Sequence, residues 1–126
     1  LRAKIARKGR HLAALDPAHL HRLRIRVKKL RYAADFLAGA FPGKQAERRR
    51  KAFAAALGRL QDALGDLNDV AVHRALVEEL ATGDAPAASA FAAGRLAGRE
   101  EARLPELLRE AEAAWAGVAG AKVFWK

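Results

Sequence analysis

The chain has no cysteine. Disulfides, thiolate metal sites and cysteine nucleophiles are therefore excluded, and a reducing compartment, the cytoplasm, is the expected setting. Hydroxyl nucleophiles are nearly as scarce: Ser89 and Thr82 are each the sole residue of their kind, both near a turn and without an evident base partner. No G-x-x-x-x-G-K-[ST] loop is present either, so no enzyme is expected. No apolar run approaches the about 18 residues that a membrane-spanning helix needs, and no signal peptide shows at the start. Aromatics make up only 6% of the chain and are dispersed, which leaves no platform for stacking single-stranded bases.

Acids are missing from one region in particular. Residues 1–60 hold 17 Arg and Lys against 3 acids, a balance of +14, whereas residues 61–126 hold 7 against 11, a balance of −4. The basic field belongs to the first half. A field of that sign concentrates polyanions, whether nucleic acid, anionic lipid or a phosphate polymer. With 126 residues the chain is the size of one domain able to bury a real core. It begins at Leu1 and not at Met, which reads as a piece of something longer.

Apolar residues recur every three or four positions, Ala and Leu dominate, and β-branched residues are few, so the expected fold is all-α. The pattern predicts an antiparallel bundle of about four helices with a long third one. The first runs from Leu1 to about Leu15. Asp16 caps the second and Pro17 occupies its first turn; it continues to about Ala40 and is broken by Phe41-Pro42-Gly43. The third covers about Lys44 to Ala81, with an expected break near Gly65 and a cap at Asp66 or Asn68. After the turn Thr82-Gly83-Asp84-Ala85-Pro86, helix resumes over about Ala87 to Gly117, where Pro105 must kink it or start a new one.

On the second helix, Leu20, Leu23, Val27, Leu30, Ala34 and Leu37 form one stripe, the core face. His21, Arg24, Lys28, Arg31 and Asp35 form the next, and Ile25, Tyr32 and Phe36 a second apolar stripe beyond it. A helix with two apolar stripes is expected to cover both, which makes the basic strip between them the lining of a groove. Arg22, Arg26 and Lys29, on the remaining side, read as solubility. On the third helix Phe53, Leu57, Leu60, Leu64 and Leu67 form the core face, with Lys44, Arg48, Lys51 and Arg59 opposite. That strip continues as Asp62, Asp66, Asp69 and His73, which read as ion-pair partners orienting the neighbouring helix's cations, with a divalent metal site as the other reading. His11, His19 and His73 have no second shielded ligand at metal spacing, and no cofactor is expected.

The pattern His21, Arg24, Lys28, Arg31, Tyr32 resembles the signature of the conserved-histidine α-helical domain, the CHAD family, which binds inorganic polyphosphate. Leu60 to Asp69 (LQDALGDLND) resembles the family's second segment, Gly94 to Arg99 its last-helix glycine pair, and Lys122 to Trp125 (KVFW) its closing motif. The four motifs stand in family order. The resemblance implies a helical bundle whose basic groove holds a chain of phosphates, with His21, Arg24, Lys28 and Arg31 as matching residues. Arg48, Lys51 and Arg59 join them by the facing of the third helix, and Lys122 reaches the rim. Arg forks can take two phosphoryl oxygens while Lys acts as a point charge, and a histidine in that field gains a proton on binding.

Family members usually have two similar halves, each with its own histidine motif. This sequence holds one and looks like the C-terminal half, so residues 1–126 are expected to be a single helical domain completed by a missing N-terminal half or by a second copy in a homodimer. Other polyanions are secondary partners, no membrane partner is expected, and polyphosphate granules are an implied place of association. An RNA- or DNA-backbone-binding module is the leading alternative, and a helical interaction scaffold, its cations neutralised internally by Asp62, Asp66 and Asp69, is the third. Trp115 reads as core, Phe124-Trp125 as a cap on the bundle, and Gly94 and Gly98 as small residues permitting close helix approach.

Overall fold

Apolar spacing of three and four dictates helices, and helices are what form. The computed structural model describes residues 17–84 and 86–125. Within them, α1 spans Pro17–Phe36, a short 3-10 turn Leu37–Ala40, α2 Lys44–Thr82 and α3 Ala87–Gly120. There is no strand among the described residues. The expected helix from Leu1 to Leu15 and the Asp16 cap lie outside them.

The core stripe of α1 is buried as Leu20, Leu23, Val27, Leu30 and Ala34. Leu37 departs from expectation: the α-helix tightens to 3-10 geometry just before it, which rotates it off the stripe and leaves it 38% exposed. The chain then turns through Phe41, Pro42 and Gly43. Gly43 takes φ of 115°, a conformation that a side chain would strain, and its carbonyl accepts from the Glu47 N–H at 3.0 Å as α2 begins.

α2 runs unbroken for 39 residues, so the break expected near Gly65 does not occur. The glycine penalty in a helix is only about 0.5–1 kcal/mol, and the core stripe continues across it through Leu64, Leu67, Val70 and Ala71, all buried. Burial on both sides outweighs one weak residue. A Cβ built at Gly65 would meet nothing within 4 Å. Gly65→Ala is therefore expected to stabilise the fold by about 0.5–1 kcal/mol, read as a higher urea midpoint at unchanged slope; a lower midpoint would contradict the continuous helix.

α3 likewise continues through Pro105 without starting anew. Pro105 is exposed, while Leu104, Leu107, Leu108 and Ala111 pack against the core on both sides of it. Gly94 and Gly98 do not mediate close helix approach: both are exposed, and neither would bring a Cβ within 4 Å of a neighbour. Beyond α3 the chain folds back as an aromatic cluster. Phe124 is 2% exposed and meets Phe41 edge-on at 6.0 Å, and Trp125 meets the fully buried Phe53 at 5.4 Å. The closing aromatic pair thus seals the α1–α2 turn against α2. Trp115 packs partly buried against the same core.

The core occupies one part of the molecule. Buried residues of α2 run from Phe53 to Ala71 and those of α3 from Leu107 to Val118. The rest of both helices, residues 72–82 and 87–106, forms a two-helix arm with no fully buried residue. No helix among the described residues is long and apolar enough to cross a membrane.

Candidate functional site

α1 packs its core stripe against α2, and this seats the adjacent basic stripe at the seam between the two helices. Arg31 Nη1 donates to Gln61 Oε1 at 3.0 Å, and Asp35 Oδ1 faces Arg50 Nη1 at 4.0 Å. Arg24 is half-buried, while His21 and Lys28 are exposed. Lys28 Nζ lies 6.0 Å from the Tyr32 ring centroid, over the ring.

The basic stripe holds few carboxylates of its own. Asp35 is the one acid on α1, and it faces Arg50. Among the described residues Arg24 and Lys28 have no ion-pair partner, and Arg31 is positioned by a neutral amide. Three cations at successive turns of one helix therefore have no carboxylate ion-pair partner among the described residues. An array of this kind is repulsive within itself and attracts a multivalent anion.

The α2 residues expected to join them are distributed differently. Arg48 and Lys51 are exposed, and Lys51 pairs with Glu47 on its own helix at 3.4 Å. Arg59 lines a pocket of about 400 Å³ with Asp62, Asp66 and Glu110, between α2 and α3. At about 100° per residue, these positions lie well round α2 from Arg50 and Gln61, which meet α1. Lys122 is exposed just before the aromatic cluster. The structure brings together His21, Arg24, Lys28 and Arg31 and adds Gln61 and Arg50. Sequence reasoning missed these two because spacing along α2 defines its core face without telling which flank of that face α1 will take.

Further along α2, His73 and Arg74 meet acids of α3. His73 Nδ1 and Glu100 Oε1 are 2.5 Å apart, and Arg74 Nε donates to Glu101 Oε1 at 2.9 Å. His73 is thus a hydrogen-bonding residue of the arm, joined to Glu100. Asp62 and Asp66 stand beside Arg59, not beside the cations of α1. Among the described residues no group of three or more His, Asp or Glu is placed to hold a metal ion.

Comparison with known proteins gives one family match, over the stretch that holds the first two motifs. A family model described as the CHAD domain matches residues 1–78, well over half of the chain. No curated protein and no solved structure matches it.

Proposed function

The chain belongs to the CHAD family, and on that premise we propose that it binds inorganic polyphosphate, without chemical turnover, along the basic stripe of α1. The observation that carries this reading is the alignment of Arg24, Lys28 and Arg31 on one stripe beside α2 without a carboxylate ion-pair partner among the described residues. Phosphoryl oxygens at short regular intervals supply the counter-charge that the protein withholds. His21 stands on the same stripe one turn earlier. Gln61 fixes the fork of Arg31, and Arg50 keeps Asp35 from neutralising its own stripe. In this reading Arg48, Lys51 and Lys122 supply outlying positive field, and Arg59, held among carboxylates, contributes least.

The order of contacts supports an antiparallel α1–α2 pair, since Arg31 meets Gln61 whereas Asp35, further along α1, meets the earlier Arg50. Residues 1–126 then act as one helical domain, the C-terminal half of a larger CHAD architecture, completed by a preceding half or a second copy. A stripe without carboxylate partners among the described residues also weighs against a scaffold whose cations are neutralised internally. RNA is the main competitor, because a basic helix attracts any phosphate backbone.

The test is competition between labelled long-chain polyphosphate and RNA of matched charge at near-physiological salt, where unspecific counterion-release binding weakens steeply. Retention of polyphosphate against excess RNA is the expected result. Equal displacement, with both fading as salt rises, would reduce the stripe to an unspecific basic face.

A further inference from the structure

The second apolar stripe of α1 does not wall the groove as expected. Ile25, Tyr32 and Phe36 are 38%, 62% and 87% exposed, on the side of the helix opposite its core stripe. The bank that faces Arg24 and Arg31 is instead a flank of α2. At about 100° per residue, Arg50, Gln61 and Asn68 fall within about 20° of one line along that helix, and the first two of them meet α1. On the outer side of that line Ala54, Gly58 and Gly65 keep the flank low and bring no acid to it.

Asn68 has no visible task in the fold. α2 continues unbroken to Thr82, so Asn68 caps no helix. Asn is a poorer helix former than Ala or Gln, because its short amide competes for backbone groups. The side chain is half-buried, makes no hydrogen bond among the described residues and keeps its polar atoms within reach of solvent.

What Asn68 faces follows from register. Arg31 meets Gln61, Arg24 lies seven residues earlier on α1, and Asn68 lies seven later on α2. In an antiparallel pair both are displaced about 10 Å in the same direction along the seam. Gln61 reaches its arginine. Asn68, one methylene shorter, does not hydrogen-bond Arg24, which has no ion-pair partner among the described residues either. Between Gln61 and Asn68, a Cβ built at the half-buried Gly65 would enter open space, so the bank is notched there.

We propose that Asn68 makes this seam selective for a bare phosphate chain: its amide N–H donates to a phosphoryl oxygen that Arg24 holds from the other side, over the notch left by Gly65. The inference rests on the polyphosphate reading and names what separates polyphosphate from other polyanions. Cations attract any phosphate backbone through its charge. A neutral amide adds only a direct hydrogen bond, and so favours a ligand that brings an oxygen to it. In polyphosphate, neighbouring phosphates share one oxygen, and a stretch spanning the seam from Arg31 to Arg24 presents phosphoryl oxygens to both banks throughout. In RNA a sugar separates successive phosphates, which thins the oxygens over the same span and puts ribose where the notch would take phosphate.

The experiment measures the affinity of the full chain and its variants for a labelled linear polyphosphate and for RNA of matched charge, with urea unfolding alongside. Asn68→Ala is expected to lose about tenfold or more for polyphosphate, as removal of one hydrogen bond to a charged group would, and less than about threefold for RNA. Its urea midpoint should hold or rise, since Ala is the better helix former and no hydrogen bond within the protein is lost. Asn68→Asp, of the same shape, sets a carboxylate across from Arg24 and should weaken polyphosphate further than Ala does. Gly65→Leu fills the notch and should cost polyphosphate more than RNA while the chain stays folded, because the space it enters is open.

A lowered midpoint with both affinities reduced in Asn68→Ala would make Asn68 a structural residue and overturn the inference. Unchanged polyphosphate affinity, or equal losses for the two ligands, would also overturn it and leave the functional reading standing. A chain that binds no polyphosphate before any substitution would overturn that reading itself.

Discussion

Replacing Arg24 and Lys28 together by Ala is expected to weaken polyphosphate binding on the order of a hundredfold or more, with the helical circular dichroism unchanged. The magnitude follows from two charge-assisted contacts of about 1.5–3 kcal/mol each, at about 1.4 kcal/mol per tenfold. Fold loss is not expected, because neither side chain belongs to the core and neither holds an ion pair among the described residues. Two controls define the surface. Arg22→Ala with Arg26→Ala removes equal charge from another side of α1, and Arg59→Ala removes it from the carboxylate pocket facing α3. Each is expected to cost less than about threefold, as a loss of long-range field alone would. Fluorescence anisotropy with a labelled polyphosphate reads all three. Similar losses in the three variants would mean that total charge, and not the seam of α1 and α2, sets the affinity.

Phe53→Ala is expected to destabilise the fold by about 3–5 kcal/mol, the cost of truncating a large buried aromatic. The site can collapse little. Phe53 is fully buried, with Trp125 edge-on at 5.4 Å and Phe124 tilted at 6.5 Å, and Phe124 is itself braced by Phe41. Removing the ring unseats the chain end that closes the α1–α2 turn. Since domains of this size hold only about 5–15 kcal/mol in total, the loss is a large fraction. Urea unfolding followed by tryptophan fluorescence measures it, and a cost below about 1 kcal/mol would mean that the cluster is loosely packed.

How far the sequence foretells this structure depends on whether one helix suffices to decide the question. The core face of α1 from Leu20 to Ala34 and that of α2 from Phe53 to Leu67 are read from spacing alone, and all of these residues are buried. The turn at Pro42-Gly43 is as legible, because Gly43 needs a conformation that few residues accept. The false break at Gly65 and the doubt at Pro105 arise because local penalties of a few kcal/mol at most are visible in sequence, while the tertiary burial that outweighs them is not. The second apolar stripe exposes a different limit. Spacing marks Ile25, Tyr32 and Phe36 as a face that ought to be covered, but no residue pattern says by what. The seam partners Gln61 and Arg50 were hidden for the same reason, since which flank of α2 receives α1 is a property of the pair.

The arm formed by the far ends of α2 and α3 shapes how this molecule comes apart. Its residues 72–82 and 87–106 are joined by His73–Glu100 and Arg74–Glu101 and by half-buried side chains, with Val72, Leu76, Phe91 and Leu96 left in water. One Glu100 oxygen is even buried without a hydrogen-bond partner. Little apolar area is therefore lost when the arm opens, whereas separating the other end means uncovering the Phe53 to Ala71 stripe. Unfolding is thus expected to be graded along the long axis of α2, the tip opening as a small unit before the end that carries the basic stripe, which amide hydrogen exchange would read as weaker protection over 72–82 and 87–106 than over 53–71.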